Sequence, residues 1–424
     1  MSLTIIKDIK ARKVIDTRAE YTIEVEVLTE GGGFGRSAAP LSAPASRGVW
    51  EVPAYPQGGV DEAVRIVNEV IKKKLVGMDA LNQALIDKTL KEVDGTDNFS
   101  KIGGNTATVI SIAVAKAAAS TLGLPLYRYL GGPFQRELSI PIANIIGGGP
   151  HARKGKAPDF QEHQVIPINA KNIKEAIIAV VEAYKKAKKY CEQKDPNFTG
   201  GGDDEAAWVP SLADRDVLEI LAKICEEIES ELGVKMRIGL DCAAENLWDS
   251  KEKVYVYYRE GTKRDPGEQL EYISELIKTF PIYYVEDFVH DNDFESYVEL
   301  TKKFGKRMLI CGDDLFACEY NRLLKGIEMG AANSIIIKVN MRGTLTDTFE
   351  TVRLAHEHGY VPIKSCRSGE TEDTAISHLA VAWNCPFNKF AVGGKGATKL
   401  NELIRIEEEL GKEARMPKLR IRPD

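Results

Sequence analysis

The chain has 424 residues, 43% hydrophobic and 28% charged, with 36 glycines and 18 prolines spread along it, values that exclude a disordered or collagen-like polymer and leave room for two domains. A formal net charge of −6 argues against nucleic acid or an anionic membrane surface as the main partner, so a small anionic substrate would need local positive charge. Seven cysteines, at 191, 225, 242, 311, 318, 366 and 385, form no C-x-x-C pair and show no zinc-ligand spacing, which suits a reducing compartment.

The N-terminal MSLTIIKDIK has no signal-peptide apolar core, and the most apolar helical run, VISIAVAKAAAS, is broken by Lys116; a cytoplasmic protein with no membrane span is expected. Residues 3 to 40 read as strands, with TIEVEVLTE alternating apolar and polar before the turn at Gly31, Gly32 and Gly33. Three helical patterns follow: VDEAVRIVNEVIKKKL, ALNQALIDKTLKEV and TATVISIAVAKAAASTL, the last apolar enough on most faces to be buried. Together they predict an α+β domain over residues 1–134, ending near YLGGP.

Over residues 135–424 the pattern changes to short apolar runs that end in a polar residue, with amphipathic helices between them. The runs MRIGLD, IYYVED, MLICGD, SIIIK and YVPIKSC end on Asp241, Glu286, Asp313, Lys338 and Cys366, and the later steps of 27, 25 and 28 residues each fit one βα unit. This α/β rhythm predicts a parallel (β/α)8 barrel carrying its functional groups at the C-terminal strand ends. Asp241, Glu286 and Asp313 would then converge as three hard oxygen ligands, favouring Mg²⁺ over zinc. Each alone reads as a helix cap; three in register followed by a lysine read as a site. Lys338, closing a buried strand, is expected to have its pKa lowered by desolvation and nearby cations, which would make it a general base; the bland alternative pairs its amine with Asp313 or Glu286.

The stretches VIDTR, TIEVEV, VAKAAAS, FQEHQVIP, IGLDCAAE, VEDFVHDNDFE, CGDDLF, AANSIIIKVN, RSGETEDT and LIRIEEELG resemble the enolase family in order and spacing, over nearly the whole chain. That resemblance implies an N-terminal α+β capping domain on an enolase-type TIM-like barrel, a Mg²⁺-dependent lyase interconverting 2-phosphoglycerate and phosphoenolpyruvate, and two Mg²⁺ ions, the second bound with substrate. Residue by residue, it implies Asp241, Glu286 and Asp313 at the first metal and Ser46 at the second. Lys338 becomes the C2 base, and Glu205 with Glu162 assists loss of the C3 hydroxyl. Lys389 is placed at the substrate carboxylate, Arg367 and Ser368 at its phosphate, and His151, Gln161 and Cys366 around it. Glu24 and Arg405 match a pair that bridges subunits, so a homodimer or higher homo-oligomer is implied.

The pattern departs from the family in several places. The family's S-H-R-S-G is Ser365-Cys366-Arg367-Ser368-Gly369, so a thiol replaces the histidine. The lid S-G-A-S-T-G-T-H-E has become a stretch from Ser42 to Glu51 with Pro44 and Arg47, and the loop from His151 to Glu162 carries Arg153, Lys154 and Lys156. Two competing readings therefore stand beside enolase activity: a paralogue abstracting an α-proton from another phosphorylated hydroxy acid, and a non-catalytic scaffold. Retention of both lysines and all the carboxylates argues against the scaffold. Cys242 and Cys311 read as core fillers, the remaining histidines receive no role, and the tail ARMPKLRIRPD reads as a solvated end.

Overall fold

The computed structural model describes residues 2–42, 48–152 and 154–423. Ser46, Pro44, Arg47 and Arg153 lie outside the described residues. Three N-terminal strands, β1 (Ile6–Ile15), β2 (Tyr21–Thr29) and β3 (Phe34–Ala38), form an antiparallel sheet in chain order. The alternation in TIEVEV is what the sheet uses: Ile23, Val25 and Val27 are fully buried against the helix Gly104–Thr121. That helix lies so close to β3 that a Cβ on Gly35 would overlap the carbonyl of Ala113.

The apolar helix is buried on nearly every face, as its sequence predicts, and its one lysine has a specific use. Lys116 donates to Asp373 at 2.6 Å and to the Arg36 carbonyl at 2.7 Å, and Asp373 also accepts from Ser37 at 2.7 Å. A single half-buried carboxylate thus ties the N-terminal sheet to the barrel. The VDEAVRIVNEVIKKKL run is helical but passes through a π turn at Val67–Ile71, where Asn68 bonds both the N–H and the carbonyl of Ala11 at the edge of the sheet.

Eight strands close the barrel. In chain order they are β4 (Ile140–Gly147), β5 (Glu162–Pro167), β6 (Met236–Asp241) and, after a small sheet of β7 (Trp248–Asp249), β8 (Val254–Tyr257) and β9 (Thr262–Arg264), the strands β10 (Ile282–Glu286), β11 (Leu309–Gly312), β12 (Ser334–Ile337), β13 (Val361–Ser365) and β14 (Phe387–Ala391). The expectation of a parallel barrel needs one correction, because β5 runs antiparallel to both β4 and β6. The chain returns from β4 through the loop at 148–161 without a crossover helix, and strands joined that way must run in opposite directions.

The tail also differs from expectation. Leu138 N–H donates to the Arg415 carbonyl at 2.8 Å, the Tyr283 hydroxyl donates to the Ile421 carbonyl at 2.6 Å, and Met416, Leu419 and Ile421 pack on the barrel core. Apolar residues alternating with the basic ones fasten this end across the N-terminal mouth of the barrel, where a purely charged segment would stay in water.

Candidate active site

Strand register decides which side chains meet. Asp241 and Glu286 are directly paired across β6 and β10, and Asp313 and Lys338 follow the last residues of β11 and β12. Glu162 begins its strand, yet the reversed direction of β5 pairs it with Asp241, so it joins the same face. Lys389 stands beside Ser365 in β14. A cavity of about 30 Å³ is lined by Glu162, Glu205, Asp241, Asp313, Lys338 and Lys389, with His151, Gln161, Cys366, Arg367 and Ser368 also on its wall. Glu286 is fully buried and reaches this group through Lys389.

Lys389 is the hub of the charge network. Its ammonium donates to Asp241 and to Glu286 at 2.6 Å each and lies 3.3 Å from Glu162. Burial opposes its charge, but these acids win and its pKa stands well above the ordinary lysine range. Lys338 donates to Asp313. The expected lowering of its pKa is not found in this state: burial pulls it down, the Asp313 carboxylate pushes it up further, and the balance is raised. The bland pairing with Asp313 is therefore the observed one.

The acids are tuned the other way. Burial raises the Glu162 carboxyl to about 7, with Lys389 opposing and Glu205 adding, while burial also raises Glu205. Gln164 donates to Glu162 at 2.7 Å and Asn144 to Glu205 at 3.2 Å, so each carboxyl is oriented by an amide from a barrel strand. Asp203 accepts the N–H groups of Glu205 and Ala207, both at 2.9 Å, which shapes the turn that presents Glu205. Burial lowers the His151 pKa, and the Gln161 amide joins Lys389 in donating to Asp241, at 2.9 Å.

Arg367 follows β13 and is buried, with its Nη2 donating to both oxygens of Glu51 at 2.8 Å and its Nε donating to Ser42 at 2.5 Å. A Cβ on the next-but-one residue, Gly369, would overlap Asp16 and the Leu41 carbonyl; this close approach lets Leu41 and Gly369 exchange two backbone hydrogen bonds. The N-terminal segment is thereby laid directly over the arginine. Cys366 is buried, and loss of water pushes its thiol well above the ordinary range, so it stays protonated at neutral pH.

Two family profiles match the chain: "Enolase, N-terminal domain" over residues 6–130 and "Enolase, C-terminal TIM barrel domain" over residues 135–420. The chain belongs to the enolase family. Similar proteins named enolase come from Methanothermobacter thermautotrophicus, 50% identical over 96% of this chain and 97% of the relative, and from Methanosphaera stadtmanae, 51% identical over 96% and 98%. The enolase of Pyrobaculum aerophilum is 43% identical over 98% of this chain and 99% of its own length.

The family implies a divalent cation, and the donors of this enolase-family chain suit one. Glu286 Oε1 and Asp313 Oδ1 are buried oxygens without a hydrogen-bond partner among the described residues, a costly arrangement that a hard cation would relieve. Several members of the site carried no separate sequence signal. Asp287 accepts the N–H groups of Asp313 and Asp314 at 3.0 and 2.8 Å and the Tyr297 hydroxyl at 2.8 Å, holding the turn that presents Asp313. Asn144, Gln164, Asp203 and Glu51 were likewise invisible as partners, because each acts through a contact distant in sequence or through loop geometry.

Proposed function

We propose that this chain is a Mg²⁺-dependent phosphopyruvate hydratase, interconverting 2-phosphoglycerate and phosphoenolpyruvate. The observation that carries the reading is the convergence of two lysines and paired carboxyls from separate strands on one cavity. Asp241, Glu286 and Asp313 would hold the first Mg²⁺ and Ser46 would join a second. Bound there, divalent cations supply Lewis-acid stabilisation of the charge that develops on the substrate carboxylate. A lysine base with Mg²⁺ is the known pattern of this superfamily rather than a deduction from these distances.

Lys338 removes the C2 proton. A cation held at the free Oδ1 of Asp313 would draw off charge and weaken the pull of that carboxylate on the Lys338 ammonium, and burial would then favour the neutral amine. Lys389 places a fixed positive charge against the enediolate, and this charge needs no reorganisation as the reaction proceeds. The raised pKa values of Glu162 and Glu205 let the pair keep a proton near neutral pH, which the departing C3 hydroxyl needs. Arg367 and Ser368 receive the phosphate, and His151, Gln161 and Cys366 wall the substrate.

The same reading treats residues 1–134 and 135–424 as two domains and the protein as a cytoplasmic homodimer or higher homo-oligomer. Within one chain Glu24 pairs with Arg12 and the exposed Arg405 pairs with Glu402, so a dimer that joins Glu24 to Arg405 would exchange these contacts for new ones. Light scattering giving a monomer at micromolar concentration would count against the dimer. No helix among the described residues is long and apolar enough to cross a membrane. The decisive test follows phosphoenolpyruvate absorbance with Mg²⁺ and with a chelator. Turnover only with Mg²⁺ is expected; α-proton exchange without turnover selects the paralogue, and neither signal selects the scaffold.

A further inference from the structure

Arg367 already holds an anion. Its guanidinium grips the Glu51 carboxylate through two 2.8 Å contacts in a pocket where both side chains are almost completely withdrawn from water. The Nη1 nitrogen beside this contact is buried and without a partner among the described residues, so the clamp has donor capacity that they do not use. Glu51 is itself held in place: its Oε1 accepts from Gly48 N–H at 3.0 Å. The neighbouring Trp50 donates to Asp291 at 2.8 Å and lies under the Arg322 guanidinium, 4.1 Å from its ring centre.

The cavity next to this contact has a volume of about 30 Å³, and a second of about 260 Å³ shares Glu205, Cys366, Arg367 and Ser368 with it. Space for a substrate therefore adjoins Arg367, but the guanidinium edge is already taken by Glu51. A carboxylate and a phosphate present the same pair of oxygens to a guanidinium, so either can satisfy Arg367, but only one at a time on the Nη2 edge.

We propose that Glu51 is a specificity-determining residue: its carboxylate occupies the phosphate position of the Arg367 clamp and yields only to a dianionic phosphate group. Exchange of one buried carboxylate for another monoanion gains nothing, since the new pair replaces an equivalent one already formed. A dianion brings one more charge to the guanidinium and can also engage the unpartnered Nη1. Unphosphorylated hydroxy acids are thereby rejected at the clamp rather than at the metal or the base. The inference rests on the reading of Arg367 as the phosphate contact.

The test is calorimetric titration of inorganic phosphate, and separately acetate, into the full-length protein in Mg²⁺ buffer, for wild type, Glu51→Gln, Glu51→Asp and Arg367→Gln. Glu51→Gln should bind phosphate at least about fivefold more tightly and should acquire measurable acetate binding, because no buried ion pair has to be broken first. Glu51→Asp, which keeps the charge but shortens the reach, should fall between the two and stands in should the Gln variant misfold. Unchanged or weaker phosphate binding in the Glu51 variants overturns the proposal while loss of binding in Arg367→Gln leaves the clamp intact. Phosphate binding in Arg367→Gln equal to wild type overturns the clamp reading itself.

Discussion

Replacing Lys389 by Met keeps the length of the side chain and deletes its ammonium. Three carboxylates then face one another, because Asp241 and Glu286 lose 2.6 Å contacts and Glu162 loses one of 3.3 Å, all of them buried. Breaking a buried pair by removing one partner costs about 3–5 kcal/mol. At about 2–4 °C per kcal/mol for a large domain, thermal unfolding in a chelator should fall by roughly 6–20 °C. Mg²⁺ should recover much of the loss. In the wild type a cation competes with Lys389 for Asp241 and Glu286, whereas in the variant those oxygens keep only the neutral donors Gln161 and Tyr284, and a ligand at a hundred times its dissociation constant returns about 2.7 kcal/mol. Differential scanning calorimetry with EDTA and with excess Mg²⁺ should therefore show a larger Mg²⁺-induced rise in Tm for Lys389→Met than for wild type. An equal or smaller rise would refute the assignment of Lys389 as the group that neutralises the metal carboxylates in the substrate-free protein.

Three further outcomes are expected. The Glu162 carboxyl, raised by burial from 4.5 to about 7, keeps its proton in the folded state across a window where the unfolded chain has lost it, so folded stability declines as pH rises from about 4.5 to 7. In urea unfolding with EDTA, Glu162→Gln should flatten that decline by up to about 3 kcal/mol; a slope equal to wild type contradicts it. Lys338→Ala should lower C2 proton exchange in deuterated water by at least about 100-fold, read by NMR, and exchange within tenfold of wild type would assign the base elsewhere. Cys366, buried with its thiol held protonated, should take up no iodoacetamide in the native protein at neutral pH, and mass-spectrometric detection of the adduct would show the thiol to be accessible.

The residues that could be read in advance are those whose role depends on where a strand ends. Asp241, Glu286, Asp313 and Lys338 each close an apolar run, and the spacing of those runs carries the barrel, so their convergence follows from local pattern alone. Glu162 breaks that logic. It opens its run instead of closing it, and reaches the same face because β5 is antiparallel, a fact set by the missing crossover helix after β4 and absent from the pattern of β5 itself. The ion pair of Lys338 in the cation-free protein is hard to read for a related reason: burial can be inferred from sequence, but the Asp313 carboxylate that outweighs it comes from the end of a neighbouring strand.

Glu51 marks the far limit of such reading, since it lies 316 positions from Arg367 and the pair forms only after the N-terminal segment is laid over the barrel mouth through Leu41 and Gly369. The same juxtaposition bears on Cys366. With Arg367 held by Glu51 and Ser42 on one side and Lys389 anchored in β14 on the other, these two cationic neighbours of the thiol are fixed by contacts that do not involve its side chain. A histidine at 366 is therefore not needed to position either of them, and its loss bears instead on the Glu205 and Glu162 carboxyls, whose charge the thiol senses.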